Sequence, residues 1–452
     1  MRPSHPTFGI ALLLTAQFML VLDSTIVTVA LPELGSSLGF PPTALQWVVT
    51  AYVLAFGGLL LTGARLGDAY GKLTVFQVGI GIFSAASLVG GLALDPTWLI
   101  TARAVQGAGA ALAVPGALAL LVTNSPDETS RRRALAWFSA IGVAGGATGL
   151  LLGGILTQTV SWRWTLLINV PLGILVLLFA RRNLSDTTRN PGRFDLWGAV
   201  LAAAMASVLV ITMSGASEPG RTPLATAVGL VATAALIALL VLAERRAAAP
   251  LIRLELLRDR RRVGALVTGA LVLGGQSSLM FMSVQYLQDD LGYSPTLAGV
   301  AFLPMTLGIF GMSRVIPRIV MRFGAAIPLL IGTAGLATSY ALFALFTDTT
   351  DLVVILVTML LNGVAAGLCF MPITSTVLHD VPPETIGSAS GLLQTTQNLG
   401  SAVAVALVTA VHFAGTAAGE SLPGFTAAFA TIGGLALLGF IATATLVRPG
   451  KR

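Results

Sequence analysis

Long apolar runs alternate with short polar segments along the whole of this 452-residue chain. An α-helix needs roughly 20 apolar residues to cross the hydrocarbon core of a bilayer. Runs of about that length, bounded by charged residues or by Pro and Gly, occur fourteen times. They cover residues 8–31, 46–64, 74–94, 98–122, 134–158, 164–180, 196–214, 223–243, 263–287, 296–313, 326–346, 352–376, 386–412 and 425–447. The pattern predicts an all-α membrane protein with fourteen transmembrane helices.

Composition supports a lipid environment. Hydrophobic residues make up 55% of the chain and charged residues only 10%, whereas soluble domains carry about 25% charged residues. The first apolar run is longer than the hydrophobic region of a signal peptide. We therefore expect it to remain as a span, and we expect the chain to be a multi-pass protein of the bacterial inner membrane.

The basic residues test the span count and set the orientation. If both termini are cytoplasmic, all but three of the 26 lysines and arginines fall in cytoplasmic segments. Cytoplasmic loops of membrane proteins carry such an excess of positive charge. The net charge of +7 then follows from topology, so nucleic acid is not expected as a partner.

The densest basic segment divides the chain into unequal parts. Residues 245–262 are rich in arginine and follow the eighth predicted span. Many transporters consist of two six-helix halves. We therefore predict an N-terminal six-helix bundle at 1–194, a two-span insert at 195–244, a cytoplasmic linker at 245–262 and a C-terminal six-helix bundle at 263–452.

Asp23 is the one acidic residue, out of 19, that lies well inside a predicted span. A carboxylate at the centre of a membrane helix costs about 2.5 to 3.5 kcal/mol on insertion scales. A buried acid in this setting is a candidate proton carrier. The alternative is a structural carboxyl that bonds to Thr25 or to a neighbouring helix.

Arg103 is the one basic residue within a predicted span. It lies about five residues from the start of the fourth run, and Asp23 lies eight from the end of the first. At 1.5 Å per residue the two are at similar depth, so they could pair or compete for a proton. The alternative is an arginine that extends to the lipid headgroups.

The fifth span carries a glycine face. Gly145, Gly149 and Gly153 recur every four residues, which places them on one side of a helix and permits close helix packing. Close packing explains the spacing by itself.

The sequence contains no recognisable catalytic or cofactor motif. The three histidines are not at metal-ligand spacing, the single Cys369 lies in an apolar run, and no phosphate-binding G-x-x-x-x-G-K-[ST] loop occurs. We expect neither an enzyme nor an ATP-driven pump, and no metal. A respiratory proton-pumping subunit shares the span count but depends on membrane lysines, which no span of this chain contains.

Several motifs resemble one family. LDSTIVTVALPEL at 22–34, TARAVQGAGAAL at 101–112 and SWRWTLLINVPLG at 161–173 are similar to signatures of the fourteen-span drug/proton antiporter branch of the major facilitator superfamily. The resemblance implies alternating access in a major facilitator fold, with Asp23 handling protons or cations and Arg103 taking part in proton coupling.

The same resemblance assigns two further features. It implies that Asp68, Gly71 and Lys72 form an inner latch, and that the glycine face of the fifth span is the antiporter hinge. The chain has Ala69 where the latch motif favours Arg, and Leu150 where the hinge motif favours Pro.

The leading hypothesis is proton-driven export of small amphipathic or lipophilic compounds such as antibiotics and dyes. A single membrane acid favours monovalent, zwitterionic or neutral substrates over dications. Four residues of the ninth span are candidates for lining the substrate cavity, although some of them could face lipid: Gln276, Met280, Gln285 and Tyr286. We expect a monomer that uses the proton gradient and no cofactor. The alternative function is dedicated export of one endogenous metabolite or antibiotic, with proton coupling weakened or absent.

Overall fold

The computed structural model describes residues 6–186, 196–215, 223–246, 254–347, 351–381, 386–416 and 422–447. Within these ranges the regular structure is helical and no strand occurs. The α-helices, numbered in chain order, are α1 (Pro6–Val29), α2 (Leu31–Leu38), α3 (Trp47–Tyr70), α4 (Lys72–Gly91), α5 (Pro96–Thr123), α6 (Glu128–Thr159), α7 (Trp164–Leu167), α8 (Asn169–Asn183), α9 (Leu196–Gly215), α10 (Pro223–Arg246), α11 (Arg260–Gln285), α12 (Pro295–Ala301), α13 (Leu303–Phe323), α14 (Ala326–Leu345), α15 (Leu352–Val377), α16 (Ile386–Gly415) and α17 (Leu422–Leu446). The all-α prediction is confirmed.

Helices lie at all fourteen positions predicted from the apolar runs. The sixth position is shared by α7 and α8, and the tenth by α12 and α13. Within the described residues, 11 helices are long and apolar enough to cross a membrane. The helix α3 is bent, and if it is counted as one span the number rises to 12. The number of crossings and the location of the termini stay predictions.

Acidic residues outside the apolar runs cap the N-termini of α5 and α6. Asp95 Oδ1 accepts a hydrogen bond from the Trp98 N–H at 2.9 Å and so caps α5. Asp127 Oδ1 accepts from the Ser130 N–H at 2.7 Å and caps α6. This hydrogen bond holds the pKa of Asp127 below its ordinary value. Such caps satisfy backbone donors that have no partner within the helix, so these acids have a local structural explanation that Asp23 lacks.

The chain forms two compact units. Unit 1 contains α1 to α8, and unit 2 contains α10, α11 and α13 to α17, with the boundaries falling within α9 and α12. The insert at 195–244 and the linker at 245–262 stay predictions. Residues 187–195 and 247–253, where the predicted boundary and much of the linker fall, lie outside the described residues.

In unit 1, α5 packs against α3 and α4, while α1 packs against α6 and α8. Fully buried apolar side chains fill the space between these helices, among them Met19, Phe76, Ile80 and Phe83. In unit 2, α11 packs against α16 and α17, α13 against α15, and α14 against α15 and α17. The packing of unit 1 brings polar residues of α1, α5 and α8 into one interior.

Candidate functional site

Asp23 lies in the interior of unit 1. Its side chain is fully buried on α1. Thr25 does not supply its partner, because the Thr25 hydroxyl donates to the Leu22 carbonyl of the same helix at 3.1 Å. The partners of Asp23 come from other helices instead.

Arg103 forms an ion pair with Asp23. Its Nη1 lies 2.6 Å from Asp23 Oδ2, and only 1% of Arg103 is exposed. Arg103 therefore does not extend to the surface of the unit. The short distance and the charge on both groups make this a charge-assisted hydrogen bond of the strong kind.

Arg103 also donates hydrogen bonds to α3 and to a residue of its own helix, α5. Its Nε donates to the Val48 carbonyl at 3.0 Å, and its Nη1 donates to Gln106 Oε1 at 3.0 Å. The guanidinium carbon lies 4.5 Å from the ring centroid of Tyr52, within the range of a cation–π interaction. The guanidinium is thus fixed by several contacts besides the ion pair.

Two amides complete the shell around the carboxylate. Asn169 Nδ2, at the start of α8, donates to Asp23 Oδ1 at 2.7 Å. Gln106 Nε2 donates to the same oxygen at 3.2 Å and to Ser87 Oγ of α4 at 2.7 Å. With Arg103, the carboxylate accepts from three side chains.

Sequence reasoning missed the role of Asn169. Asn169 and Gln106 both occur within motifs that carry the family resemblance, but the resemblance assigns a role to neither of them. The available signal was an uncharged amide inside an apolar span, because polar side chains between membrane helices commonly form interhelical hydrogen bonds.

The glycine face of α6 lies directly on α1. A Cβ on Gly145 would contact Val21, one on Gly149 would collide with the Thr25 hydroxyl and the Leu22 carbonyl, and one on Gly153 would collide with the Ile26 carbonyl. The helix is continuous from Glu128 to Thr159. The glycines therefore permit close approach to the part of α1 that carries Asp23, and their role as a hinge stays a prediction.

The predicted latch lies at the junction of α3 and α4. Gly71 separates the helices with φ of +101°, a backbone conformation that favours glycine. Lys72 Nζ lies 3.4 Å from Asp68 Oδ1, and both side chains are partly exposed. The three residues are adjacent in the structure, and a latching role stays a prediction.

The four candidate lining residues differ in their surroundings. Gln276 and Tyr286 are buried within unit 2, where Gln276 Oε1 accepts from the Tyr340 hydroxyl at 2.8 Å and the Tyr286 hydroxyl donates to the Thr347 carbonyl at 2.7 Å. Met280 and Gln285 are partly exposed. Contact with a substrate stays a prediction for all four.

Unit 2 repeats part of the polar arrangement without its charges. In unit 1, Gln106 of α5 donates to Ser87 of α4 at 2.7 Å. In unit 2, Asn362 Nδ2 of α15 donates to Ser339 Oγ of α14 at 3.0 Å. Both amides are followed by glycine in the sequence.

The two glycines occupy equivalent places as well. A Cβ on Gly107 would collide with the Tyr52 carbonyl of α3, and one on Gly363 would collide with the Met305 carbonyl of α13. The helices α3, α4 and α5 therefore correspond to α13, α14 and α15. Unit 1 has an ion pair beside this shared framework, whereas Gln276 and Tyr340 provide neutral polar groups in unit 2.

Metal binding has no support among the described residues. No group of three or more His, Cys, Asp or Glu side chains in those ranges is arranged to hold a metal ion. The polar centre of unit 1 is instead a carboxylate that accepts hydrogen bonds from a guanidinium and two amides.

Comparison with known proteins agrees with these features. Residues 13–405 match the model of the Major Facilitator Superfamily. The cephamycin export protein CmcT of Amycolatopsis lactamdurans is 40% identical, covering 92% of this chain and 87% of that protein. The puromycin resistance protein pur8 of Streptomyces alboniger is 38% identical, covering 91% and 82%. A solved peptide transporter POT in complex with sulfate has a TM-score of 0.72 at 16% identity, covering 97% of this chain and 94% of that one.

The family match and the export and resistance relatives indicate a membrane transporter rather than an enzyme. The chain belongs to the Major Facilitator Superfamily, and its antibiotic export and resistance relatives are typical of the drug efflux branch.

Proposed function

We propose that this transporter exports small amphipathic or lipophilic compounds across the bacterial inner membrane by proton antiport with alternating access. The observation that carries the proposal is the fully buried Asp23–Arg103 ion pair. The proton gradient is the energy source, the transporter acts as a monomer, and neither ATP nor a cofactor takes part.

Protonation of Asp23 would destabilise the conformation that holds the ion pair. Removing one charge of a buried ion pair leaves the other uncompensated, which costs about 3 to 5 kcal/mol. Shifting a two-state equilibrium from 1:99 to 99:1 needs about 5.5 kcal/mol. One proton at Asp23 therefore supplies most of the free energy required to move unit 1 between two conformations.

The substrate class follows from the same site. A substrate cation could replace the proton as the partner of Asp23, and a second carboxylate for a dication is missing from the described part of the site. The names of the two relatives described above, an export protein for cephamycin and a resistance protein for puromycin, point to antibiotics as substrates. Monovalent or zwitterionic amphipathic antibiotics fit both arguments.

The test is transport by purified protein in liposomes under an imposed pH gradient. Wild-type protein should drive uptake of a monovalent cationic dye, and Asp23→Asn should abolish it while the protein still folds and inserts. Asp127→Asn is the matched control, because asparagine also caps helices well. Full dye transport by Asp23→Asn would contradict the proposal.

A second candidate is dedicated export of one endogenous antibiotic. It is favoured by the 40% identity to an export protein named for a single antibiotic class. A susceptibility panel in an efflux-deficient host separates the two candidates. Resistance to several unrelated compounds supports broad efflux, and resistance to one chemical class supports dedicated export.

A further inference from the structure

Asn169 has one unused polar atom beside Asp23. Its Nδ2 donates to Asp23 Oδ1 at 2.7 Å, but its Oδ1 is buried and has no hydrogen-bond partner. A buried acceptor without a partner is unfavourable and uncommon in folded proteins. The free oxygen is therefore a feature that needs an explanation.

The other acceptors around Asp23 are already engaged. Gln106 Oε1 and the Val48 carbonyl both accept from Arg103. Ser87 Oγ accepts from Gln106 and donates to the Phe83 carbonyl. If Asp23 gains a proton, its new O–H group needs an acceptor, and Asn169 Oδ1 is the one acceptor without a partner among the described groups that contact Asp23 or Arg103.

Rotation of the Asn169 amide by about half a turn exchanges its N–H₂ and its oxygen at nearly the same positions. We propose that Asn169 is a positioning residue that reverses its amide when Asp23 is protonated. It donates from Nδ2 to the carboxylate and accepts at Oδ1 from the carboxylic acid. The proton binds at Asp23 Oδ1, and no other bond forms or breaks. This inference rests on the proposed role of Asp23 as the proton site.

Among the described residues, the charged or titratable side chains that face Asp23 come from α5 and α3. They are the guanidinium of Arg103 and the phenol of Tyr52, whose ring lies beside that guanidinium. From α4 and α8 the facing side chains are Ser87 and Asn169, neither of which titrates.

Among the described side chains, the remaining neighbours of α1 place no charge against Asp23. From α6 it is the glycine face that lies against this part of α1. Arg163, just before α7, directs its guanidinium to the carbonyls of Gly91 and Ala93 at 3.0 and 2.7 Å. Glu33 on α2 is exposed.

The test is infrared difference spectroscopy of the purified full-length transporter between high and low pH. The band of the protonated Asp23 carboxyl is identified by its absence in Asp23→Asn. In wild-type protein, acidification should also move an asparagine side-chain carbonyl band to lower frequency, because Oδ1 begins to accept a hydrogen bond. Asparagine labelled with ¹³C at the side-chain carbonyl identifies that band.

Asn169→Leu should remove the asparagine signal and move the Asp23 acid band to higher frequency. It should also slow proton-driven dye transport about tenfold, because a hydrogen bond to an ionised group is lost. Asn169→Gln keeps both a donor and an acceptor and should restore part of both signals. Asn398→Leu is the matched control, because Asn398 donates only to the Gln394 carbonyl of its own helix.

The outcomes separate this inference from the function on which it rests. No titrating Asp23 band in wild-type protein would overturn the proton role itself. A clear Asp23 band that is unchanged in Asn169→Leu would overturn only the amide reversal.

Discussion

Arg103 and Asp23 lie 80 residues apart in the sequence, and their side chains meet at 2.6 Å in the interior of unit 1. Both side chains are almost completely excluded from the surface. At such a site the attraction between the two charges has to offset the desolvation of each of them. The pair is therefore stable as a pair, while either charge alone is strongly unfavourable.

This relationship predicts non-additive mutational effects. We expect Arg103→Met to lower the free energy of unfolding by about 3 to 5 kcal/mol, because the Asp23 carboxylate loses its counter-charge. Adding Asp23→Asn to that variant should recover part of the loss, since the remaining groups are neutral. Thermal unfolding of the single and double variants in detergent measures the coupling. Additive losses would show that the pair has no such interdependence.

The aromatic ring of Tyr52 should contribute to the stability of the folded protein. Because the guanidinium of Arg103 lies over that ring, we expect Tyr52→Leu to destabilise the protein by about 0.5 to 2 kcal/mol. Tyr52→Phe keeps the ring face and is the matched control. Equal stability of the Leu and Phe variants in thermal unfolding would exclude a cation–π contribution.

The charged part of the site could be predicted from the sequence because a charge inside an apolar run is costly and therefore conspicuous. Asp23 and Arg103 are each the one residue of their charge sign within a predicted span. Their positions along those spans predict that they lie at similar depth in the membrane. Asn169 was not predicted, because an uncharged amide can face a neighbouring helix or a cavity at little difference in cost. Only the packing of α8 on α1 places it on Asp23.

For the glycine face of α6, too, the sequence predicts one part of the arrangement and not another. Their spacing predicts a closely packed face on α6, and the structure has one. Spacing does not say which helix lies against that face, because partner choice depends on the arrangement of the whole bundle. That the partner is the segment of α1 around Asp23 could be learned only from the fold.

Gly149 provides a sharp test of that contact. We expect Gly149→Ala to destabilise the protein by about 1 to 3 kcal/mol, because the added methyl group would collide with the Leu22 carbonyl and the Thr25 hydroxyl and would push α6 away from α1. Gly146→Ala is the matched control on the same helix, since a Cβ there meets nothing within 4 Å.

Both glycine variants should be examined by thermal unfolding and by dye transport in liposomes. Gly146→Ala should match wild-type protein or exceed it slightly in stability, because alanine favours the helix. Equal stability of the Gly149→Ala and Gly146→Ala proteins would contradict the close approach of α6 to α1.

Substitution of Gly71 by alanine tests the backbone geometry at the junction of α3 and α4 in the same manner. Its φ of +101° and ψ of 129° lie outside the regions that residues with a Cβ readily adopt. We expect Gly71→Ala to cost about 1 to 3 kcal/mol of folding stability. Gly67→Ala is the control, because Gly67 is helical and a Cβ there would make an ordinary contact with the Lys72 side chain at 3.5 Å.

Comparison of Gly71→Ala with Lys72→Ala separates the effect of backbone geometry from that of the exposed ion pair at this junction. The Asp68–Lys72 contact is partly exposed, and a pair of this kind contributes only about 0 to 1 kcal/mol. Lys72→Ala should therefore change the unfolding temperature less than Gly71→Ala does. If Lys72→Ala is the more destabilising change, the ion pair and not the turn holds the junction. If Lys72→Ala stops transport while stability is unchanged, the result supports a conformational role for this segment, as the latch prediction requires.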